Sequence, residues 1–298
     1  MGIDAATHLG PVHLTVASLE RQAGFYERAL GLRTRWREAG RAGLGAGDHD
    51  LLVLAEAPAA RRFRGTTGLY HFALLVPGRR ELARTIARLA RLGVPQAPTD
   101  HVMTKATYLD DPEGNGIEVY ADTPEDGRWF MERGRFGARD RSGAPRSGRD
   151  PLDLEELMGH LDAAEPLDAP LASGTRVGHV HLHVADLAAA VRFYRDGLGL
   201  EEQGEAGQMA FLSAGGYHHH VGVNTWLGAG APAPPPGSLG LHHFTVVVPD
   251  RAELGRIEER LRALPGGAGG PAAGHPGAPE VTWAEDPSGN RVAIVTRA

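Results

Sequence analysis

Apolar residues near the start of the chain change from an alternating pattern to a helical one. In Val12–Val16 every second residue is apolar, which is typical of a strand with one buried face. The apolar positions that follow are three or four residues apart, as on one face of a helix: Leu19, Ala23, Tyr26 and Leu30. The pattern therefore predicts a strand that leads into an amphipathic helix.

The same order of elements recurs along the chain. Val12–Leu32 is repeated as Val180–Leu200, and Gly68–Pro77 resembles Gly240–Pro249. Each member of the second pair is followed by a helical period and then by a hairpin-like stretch that contains a Gly-Asn turn. The sequence thus predicts an α+β fold made of four βαβββ units, two in each half of the chain.

The length of 298 residues corresponds to about two domains. The stretch Gly127–Pro151 between the halves is rich in Gly and Arg and has no apolar period, so we expect a mobile linker there. We predict a first domain at residues 1–125, a linker with one short helix at 126–172, and a second domain at 173–298.

Composition and charge narrow the function. The formal net charge is −6, which provides no basic surface for a nucleic-acid backbone. No run of about 18 apolar residues and no basic leader followed by an apolar stretch is present, so we expect a cytoplasmic protein without a membrane partner. The chain has no cysteine but 15 histidines, so a bound metal would have to be held by His, Asp or Glu.

Three residues on the predicted strands could bind a metal ion together. His13 lies opposite the apolar face of its strand, His71 begins the equivalent strand of the second unit, and Glu118 lies in the last strand of that unit. Two imidazoles and one carboxylate can occupy one face of an octahedron, a ligand set suited to Fe(II), with Mn(II) or Zn(II) as alternatives. Each residue alone could be an ordinary core or surface residue. The histidines recur as His181 and His243, however, which favours the metal site.

The four-unit pattern with these ligand positions resembles the vicinal oxygen chelate superfamily, which includes glyoxalase I, bleomycin-resistance proteins and type I extradiol dioxygenases. The stretch that ends at Glu118 resembles the signature of the extradiol dioxygenases, and the matching residues are His101, Tyr108, Asp111, Pro112, Gly114 and Glu118. Thr107 departs from that signature, which usually has an apolar residue there. His49 and Asp50 resemble the strand start that presents a histidine on the oxygen side in these enzymes.

The resemblance implies that the four units pair into two open mixed-sheet barrels with helices outside. It also implies an extradiol ring-cleaving dioxygenase that acts on a catechol-type aromatic with O2 and uses Fe(II), or alternatively Mn(II) or another divalent metal. Tyr108 and His101 would help the catechol to lose a proton, and His49 would donate a proton during O–O cleavage. Because this superfamily often pairs domains between chains, a homo-oligomer is expected.

The second half lacks part of this set. Ala293 stands where the first half has Glu118, and Trp283 stands where it has Tyr108. We therefore expect the metal-binding, catalytic site in the first domain and a degenerate site in the second. A histidine run leaves one alternative open, an all-histidine metal site formed by His181, His219 and His243.

Two other functions stay open at this point. A glyoxalase- or epimerase-like lyase or isomerase would use the same metal and a second carboxylate as base, for which Asp50 is the only candidate. A non-enzymatic small-molecule binding protein of the resistance type would have an aromatic pocket, and its histidines would be incidental. The metal content of the purified protein would separate the binding protein from the enzymes, and activity with Ni(II), Co(II) or Zn(II) in the absence of oxygen would favour the lyase or isomerase.

Overall fold

The computed structural model describes residues 2–132, 135–265 and 281–297. It forms two compact units, and neither is one continuous stretch of chain. The first unit comprises Met1–Thr15, Ala59–Tyr70 and Gly178–Ala298, and the second unit comprises Val16–Pro58 and His71–Val177. The predicted domain boundaries follow the duplication in the sequence. The two compact units do not test them, so they stay a prediction.

Four of the five described helices lie between the strands of the repeated units, and the third helix lies between the two halves of the chain. They are α1 (Leu19–Phe25), α2 (Arg79–Arg91), α3 (Leu154–Met158), α4 (Leu187–Arg192) and α5 (Arg251–Ala263). Helices α1 and α4 continue into π-helical turns, and a 3-10 turn precedes β9; these turns are Tyr26–Leu30, Phe193–Leu198 and Pro124–Asp126. Among the described residues, no helix is long and apolar enough to span a bilayer.

Strands make up most of the regular structure, and their mixture with short helices confirms the predicted α+β class. In chain order they are β1 (His8–Val16), β2 (Arg33–Glu38), β3 (Arg41–Ala46), β4 (His49–Glu56), β5 (Gly68–Leu75), β6 (Ala97–Asp100), β7 (Thr104–Asp110), β8 (Gly116–Asp122), β9 (Gly127–Glu132), β10 (Arg135–Asp140), β11 (Pro145–Arg146), β12 (Asp150–Pro151), β13 (Arg176–His183), β14 (Glu201–Ala206), β15 (Met209–Ser213), β16 (Val221–Asn224), β17 (Gly240–Val248), β18 (Val281–Glu285) and β19 (Arg291–Thr296).

Local side chains determine where the helices that follow β1 and β13 begin and end. The Ser18 side chain accepts a hydrogen bond from the backbone N–H of Arg21, and Asp186 caps α4 in the same way. Gly31 and Gly199 end the two helical segments with φ values of 77° and 90°. This left-handed conformation favours glycine, which explains the Gly at both positions.

The sheet of the second unit places three polar side chains together. Strands β5 and β8 are parallel neighbours, and β7 pairs antiparallel with β8. Phe72 and Ile117 are directly opposite each other and buried, on the face covered by helix α2. Because side chains alternate along a strand, His71 and Glu118 lie on the other face, where Tyr108 is directly opposite Glu118.

In the first unit, β17 lies between β1 and β19. It pairs antiparallel with β1 and parallel with β19, and β18 pairs antiparallel with β19. Strands β13, β16, β15 and β14 follow one another in a second group. Helix α5 covers β17, β18 and β19 on the side of the buried Phe244 and Val292. The first strand of the chain is therefore paired with a strand of the last repeat.

The segment predicted as a mobile linker forms regular structure instead. Strands β9, β10 and β11 make a three-stranded antiparallel sheet. The rings of Trp129 and Phe136 are 5.4 Å apart, and the Arg139 guanidinium lies 5.1 Å from the centroid of Phe130. Because these contacts join residues of neighbouring strands, they do not require apolar residues at helical spacing in the sequence. Helix α3 follows this segment in the chain.

Candidate metal centre

A buried histidine and a buried carboxylate lie next to each other in the second unit. His71 Nε2 and Glu118 Oε2 are 3.1 Å apart, and both residues are buried. The parallel register of β5 and β8 explains this proximity, because it aligns His71 with Gly116, two residues before Glu118 on the same face. An imidazole and a carboxylate at this distance can share a proton or a cation.

A third potential ligand is His179 in β13. One atom of each of His71, Glu118 and His179 lies within 4.8 Å of the other two, and all three residues are buried. Two imidazoles and one carboxylate suit a divalent ion such as Fe(II), Mn(II) or Zn(II). Burying a carboxylate is costly unless a cation or hydrogen bonds compensate its charge. The donor set and its burial therefore fit a divalent metal ion.

His13, predicted as the first ligand, is not a member of this group. Strand β1 pairs with β17 so that His13 lies opposite His243, and the two rings are stacked with their centroids 3.8 Å apart. The strand pairing is thus the reason for the difference. The structure brings two of the predicted ligands together with His179, which was not among the predicted ligands.

The repeat itself carries no signal for His179. Its alignment pairs His13 with His181, and it sets His179 against Pro11, which has no side-chain donor atom for a metal. A different signal is available in the local spacing. His179, His181 and His183 are two residues apart, so all three lie on one face of β13, and an imidazole-lined face could have been predicted there.

Tyr108 and His101 form a hydrogen-bonded pair beside His71. The rings of His71 and Tyr108 are 5.5 Å apart, and the Tyr108 hydroxyl is 2.8 Å from Nε2 of His101. His101 Nδ1 is 2.6 Å from the carbonyl oxygen of Gly148. A carbonyl only accepts, so Nδ1 carries the hydrogen and Nε2 of the neutral ring accepts the Tyr108 hydroxyl proton. The indole Nε1 of Trp129 donates to the His101 backbone carbonyl at 2.6 Å.

The protonation state of His101 follows from its surroundings. Burial lowers the pKa of His101 below its ordinary value of 6.5, although the negative charge of Glu118 opposes this shift. The imidazole is therefore neutral at pH 7 and able to accept a proton at Nε2. Two residues of the segment predicted as a linker hold His101 in place. The carbonyl oxygen of Gly148 accepts a hydrogen bond from the ring, and the indole of Trp129 donates one to the His101 backbone carbonyl.

His49, predicted as a proton donor, has a different partner in the second unit. Its Nε2 donates to the carbonyl oxygen of Thr175 at 2.8 Å, and the residue is half-buried.

The histidine beside His179 is the buried His219, whose ring centroid is 4.0 Å from that of His179. Nδ1 of His219 is 2.8 Å from Nδ1 of His218. His219 is the counterpart of His49 in the second copy of the repeat. The histidine of this position that lies near His179 therefore comes from the second copy.

Asp111, part of the motif around Glu118, shapes the turn before β8. Its Oδ1 accepts the backbone N–H groups of Glu113 and Asn115, and its Oδ2 accepts the hydroxyl of Tyr26 at 2.7 Å. These hydrogen bonds occupy both carboxylate oxygens. The role of Asp111 is therefore to fix the turn from which the strand with Glu118 begins.

The first unit repeats this turn. Asp286 accepts the backbone N–H groups of Ser288 and Asn290, and the hydroxyl of Tyr194 donates to it at 3.0 Å. Burial raises the pKa of the Asp286 carboxyl, and burial together with the charge of Asp286 raises the pKa of the Tyr194 hydroxyl well above 10. The hydroxyl of Tyr194 therefore keeps its proton at neutral pH.

The first unit also repeats the strand register but not the carboxylate. Strands β17 and β19 are aligned as β5 and β8 are, which puts Ala293 at the position of Glu118. Trp283 is directly opposite Ala293, as Tyr108 is opposite Glu118. In the part of the chain that the structure describes, no group of three potential metal ligands contains His181, His219 or His243.

Known proteins match the chain in sequence and in fold. The family model described as Glyoxalase/Bleomycin resistance protein/Dioxygenase superfamily matches residues 8–119 and 176–294. The catechol-2,3-dioxygenase of Bacillus subtilis (strain 168) is 42% identical over 261 residues, which cover 86% of this chain and 88% of that protein.

Solved structures share the fold at low sequence identity. A protein from Bacillus subtilis subsp. subtilis str. 168 has a TM-score of 0.65 and 14% identity, and the match covers 99% of this chain and 86% of that one. Glyoxalase I from Zea mays has a TM-score of 0.59 and 16% identity, with 98% and 92% covered. Both similarities concern the fold.

Proposed function

The chain belongs to the glyoxalase/bleomycin resistance protein/dioxygenase superfamily, and from this we propose that it is an extradiol dioxygenase that cleaves a catechol-type aromatic ring with O2. The observation that carries the proposal is the buried group of His71, Glu118 and His179. The relative that is 42% identical is a catechol-2,3-dioxygenase, which favours ring cleavage over a lyase, an isomerase or a binding protein without activity.

The proposed ligands are His71, Glu118 and His179, so His179 takes the place first given to His13. We propose Fe(II) as the metal, with Mn(II) as the alternative, because two imidazoles and one carboxylate leave further coordination positions open. The chemistry that such an ion supplies is chelation of two adjacent hydroxyls and reaction with O2. The remaining steps fall to the side chains around it.

Tyr108 and His101 are proposed to take a proton from the substrate. The neutral His101 accepts the Tyr108 hydroxyl proton at Nε2, so the Tyr108 oxygen can in turn receive a proton from a catechol hydroxyl. The hydrogen bond to Gly148 holds the tautomer that leaves Nε2 free to accept. The pair therefore moves one proton away from the substrate without a net change of charge at Tyr108.

His219 is proposed as the residue that returns a proton during cleavage. Its buried ring lies against His179, and its contact with Nδ1 of the half-buried His218 provides a route for a proton towards solvent. This role was first given to His49. The hydrogen bond of His49 to Thr175 supports a structural role for that residue instead.

A cluster of aromatic rings includes a residue of β13, the strand that carries His179. The rings of Tyr70, Trp226 and His181 contact one another with centroids 5.2 to 5.3 Å apart. Tyr70 and Trp226 are 41% and 37% exposed, so this cluster is open to a ligand. Such rings favour a small aromatic substrate, because edge-to-face packing is available on the surface of the cluster.

The proposal is tested with purified protein loaded with Fe(II) under anaerobic conditions and then exposed to O2 with a panel of simple and substituted catechols. We expect a yellow ring-fission product and about one equivalent of iron per chain. Glu118→Ala should lower turnover at least about 100-fold, because removal of a ligand impairs both metal retention and substrate chelation. Glu285→Ala is the matched control, since Glu285 is an exposed carboxylate.

Two outcomes would replace this function by another. Turnover with Ni(II), Co(II) or Zn(II) in the absence of O2 would indicate a lyase or isomerase. Protein that purifies without stoichiometric metal and keeps its ligand affinity after His71→Ala would indicate a binding protein. A lack of product with every catechol would rule out the dioxygenase.

The setting of the reaction is also proposed from the sequence. We propose a cytoplasmic homo-oligomer that meets a small aromatic substrate and O2 and has no nucleic-acid or membrane partner. The net charge of −6 supports the absence of a nucleic-acid partner.

A further inference from the structure

The face of the first unit that lacks the carboxylate carries an arginine instead. Strands β17 and β19 share the register of β5 and β8, so Arg291 stands at the position of Gly116, and Ala293 stands at that of Glu118. Compared with the second unit, the first unit thus has an uncharged Ala in place of the anionic Glu and a cationic Arg in place of the uncharged Gly. The face that suits a cation in the second unit therefore suits an anion in the first.

Aromatic rings adjoin the Arg291 guanidinium. Its Cζ atom lies 4.9 Å from the centroid of the Trp283 ring. Trp283 contacts His243 with the ring centroids 4.7 Å apart, and His243 is stacked on His13. A guanidinium that stacks on a ring through its face keeps the N–H donors at its edge. Those donors are suited to a planar anion such as a carboxylate.

No described carboxylate neutralises Arg291. The residue is half-buried, and within residues 2–132, 135–265 and 281–297 its guanidinium forms no ion pair. Glu285 is directly opposite Arg291 in the register of β18 and β19, but its side chain is exposed and makes no ion pair with Arg291 either. A partly desolvated cation gains more from a charge-assisted hydrogen bond than one in water.

We propose that Arg291, Trp283 and His243 form a second small-molecule site, separate from the metal ligands, that binds a small aromatic carboxylate. The carboxylate accepts paired hydrogen bonds from the edge of the Arg291 guanidinium, and the ring of the ligand packs against Trp283 and His243. An aliphatic carboxylate would match the charge alone, and an uncharged aromatic would match the rings alone. An aromatic carboxylate matches both.

Isothermal titration of the full-length protein with benzoate tests this site. We expect saturable binding that Arg291→Gln weakens at least about tenfold, because the charge-assisted pair is lost. Arg291→Lys should weaken binding less, since it keeps the charge but not the paired geometry. Arg192→Gln is the control, an exposed arginine of the same unit, and it should leave binding unchanged. Benzyl alcohol should bind at least about tenfold more weakly than benzoate.

A variant at the metal ligands separates the two sites. Glu118→Ala should bind benzoate as the unaltered protein does, because Glu118 is not part of the proposed site. Circular dichroism checks that Arg291→Gln is folded, and Arg291→Lys serves if it is not. The proposal is overturned if benzoate shows no binding up to about 10 mM. It is equally overturned if binding is insensitive to both Arg291 variants, or if Glu118→Ala abolishes it.

Discussion

The pair of His71 and Glu118 in the second unit and the pair of His243 and Ala293 in the first occupy the same register on matching strands. Both pairs lie opposite the face that a helix covers, and an aromatic residue of the next strand is aligned with each. Only one pair contains a carboxylate. The comparison teaches that strand register and metal chemistry depend on different residues, so a side chain can lose its ligand role while the backbone arrangement persists.

The residues that the two units share are those that build the turn. Asp111 and Asp286 accept the same pattern of backbone hydrogen bonds, and each also accepts a tyrosine hydroxyl, from Tyr26 and Tyr194 respectively. These buried bonds stabilise the fold in both units whether or not a ligand set follows. Retention of the turn therefore does not indicate which of the two matched strands carries a metal ligand.

The largest effect is expected when the two candidates for the third metal ligand, His179 and His13, are each replaced by alanine. His179→Ala should lower metal affinity at least about tenfold and turnover about 100-fold, because the ligand set loses an imidazole. His13→Ala should leave metal content within about twofold of the unaltered protein. Metal analysis by mass spectrometry after dialysis measures both. Loss of metal in the His13 variant with retention in the His179 variant would restore the ligand set first predicted from the sequence.

A reverse experiment asks whether the first unit can regain a metal site. Ala293→Glu combined with Arg291→Gly reproduces the charges of the second unit, so we expect up to about one further equivalent of Co(II) or Zn(II), bound at least about tenfold more weakly. Ala293→Glu alone should bind less, because Arg291 would pair with the new carboxylate. Equilibrium dialysis measures the stoichiometry. An unchanged stoichiometry in the double variant would mean that the imidazoles there are not oriented for coordination.

The turns can be compared through their tyrosines. Tyr26→Phe and Tyr194→Phe should each lower the free energy of unfolding by about 1–3 kcal/mol, because a buried carboxylate loses one donor. Urea denaturation measures this change. Tyr26→Phe should also weaken metal binding, since its turn precedes the strand of Glu118, whereas Tyr194→Phe should leave metal binding unchanged. Equal metal loss in both variants would contradict the assignment of the metal to the ligand set that contains Glu118.

The smallest effect concerns pH. The folded protein holds the pKa of His101 below 6.5, so the unfolded chain binds this proton at a higher pH than the folded chain does. The free energy of unfolding should therefore decrease as the pH falls below about 6.5. In His101→Asn this part of the decrease should be absent. Thermal unfolding between about pH 7.5 and pH 5.5 measures the difference, and parallel curves for the two proteins would contradict the shift.

Much of the fold could be predicted from short stretches of sequence. The alternation in β1, the caps at Ser18 and Asp186, and the glycines after α1 and α4 all act within a few residues, so their effect is visible in the chain itself. The hairpin of β9 and β10 was missed because its stabilising contacts lie across strands. The same limitation affects His101, whose Nδ1–H tautomer is held by the carbonyl oxygen of Gly148, a residue 47 positions away.

The sequence by itself determined which residues can chelate a metal, which of the matched positions 118 and 293 holds a carboxylate, and which residues shape the turns. These properties belong to single residues or to adjacent ones. Only the tertiary structure decided that β1 pairs with β17, that His13 consequently stacks on His243, and that His179 joins His71 and Glu118. The physical reason is that every strand offers the same backbone N–H and C=O groups at its edges. The choice of partner strand therefore depends on the packing of the whole chain.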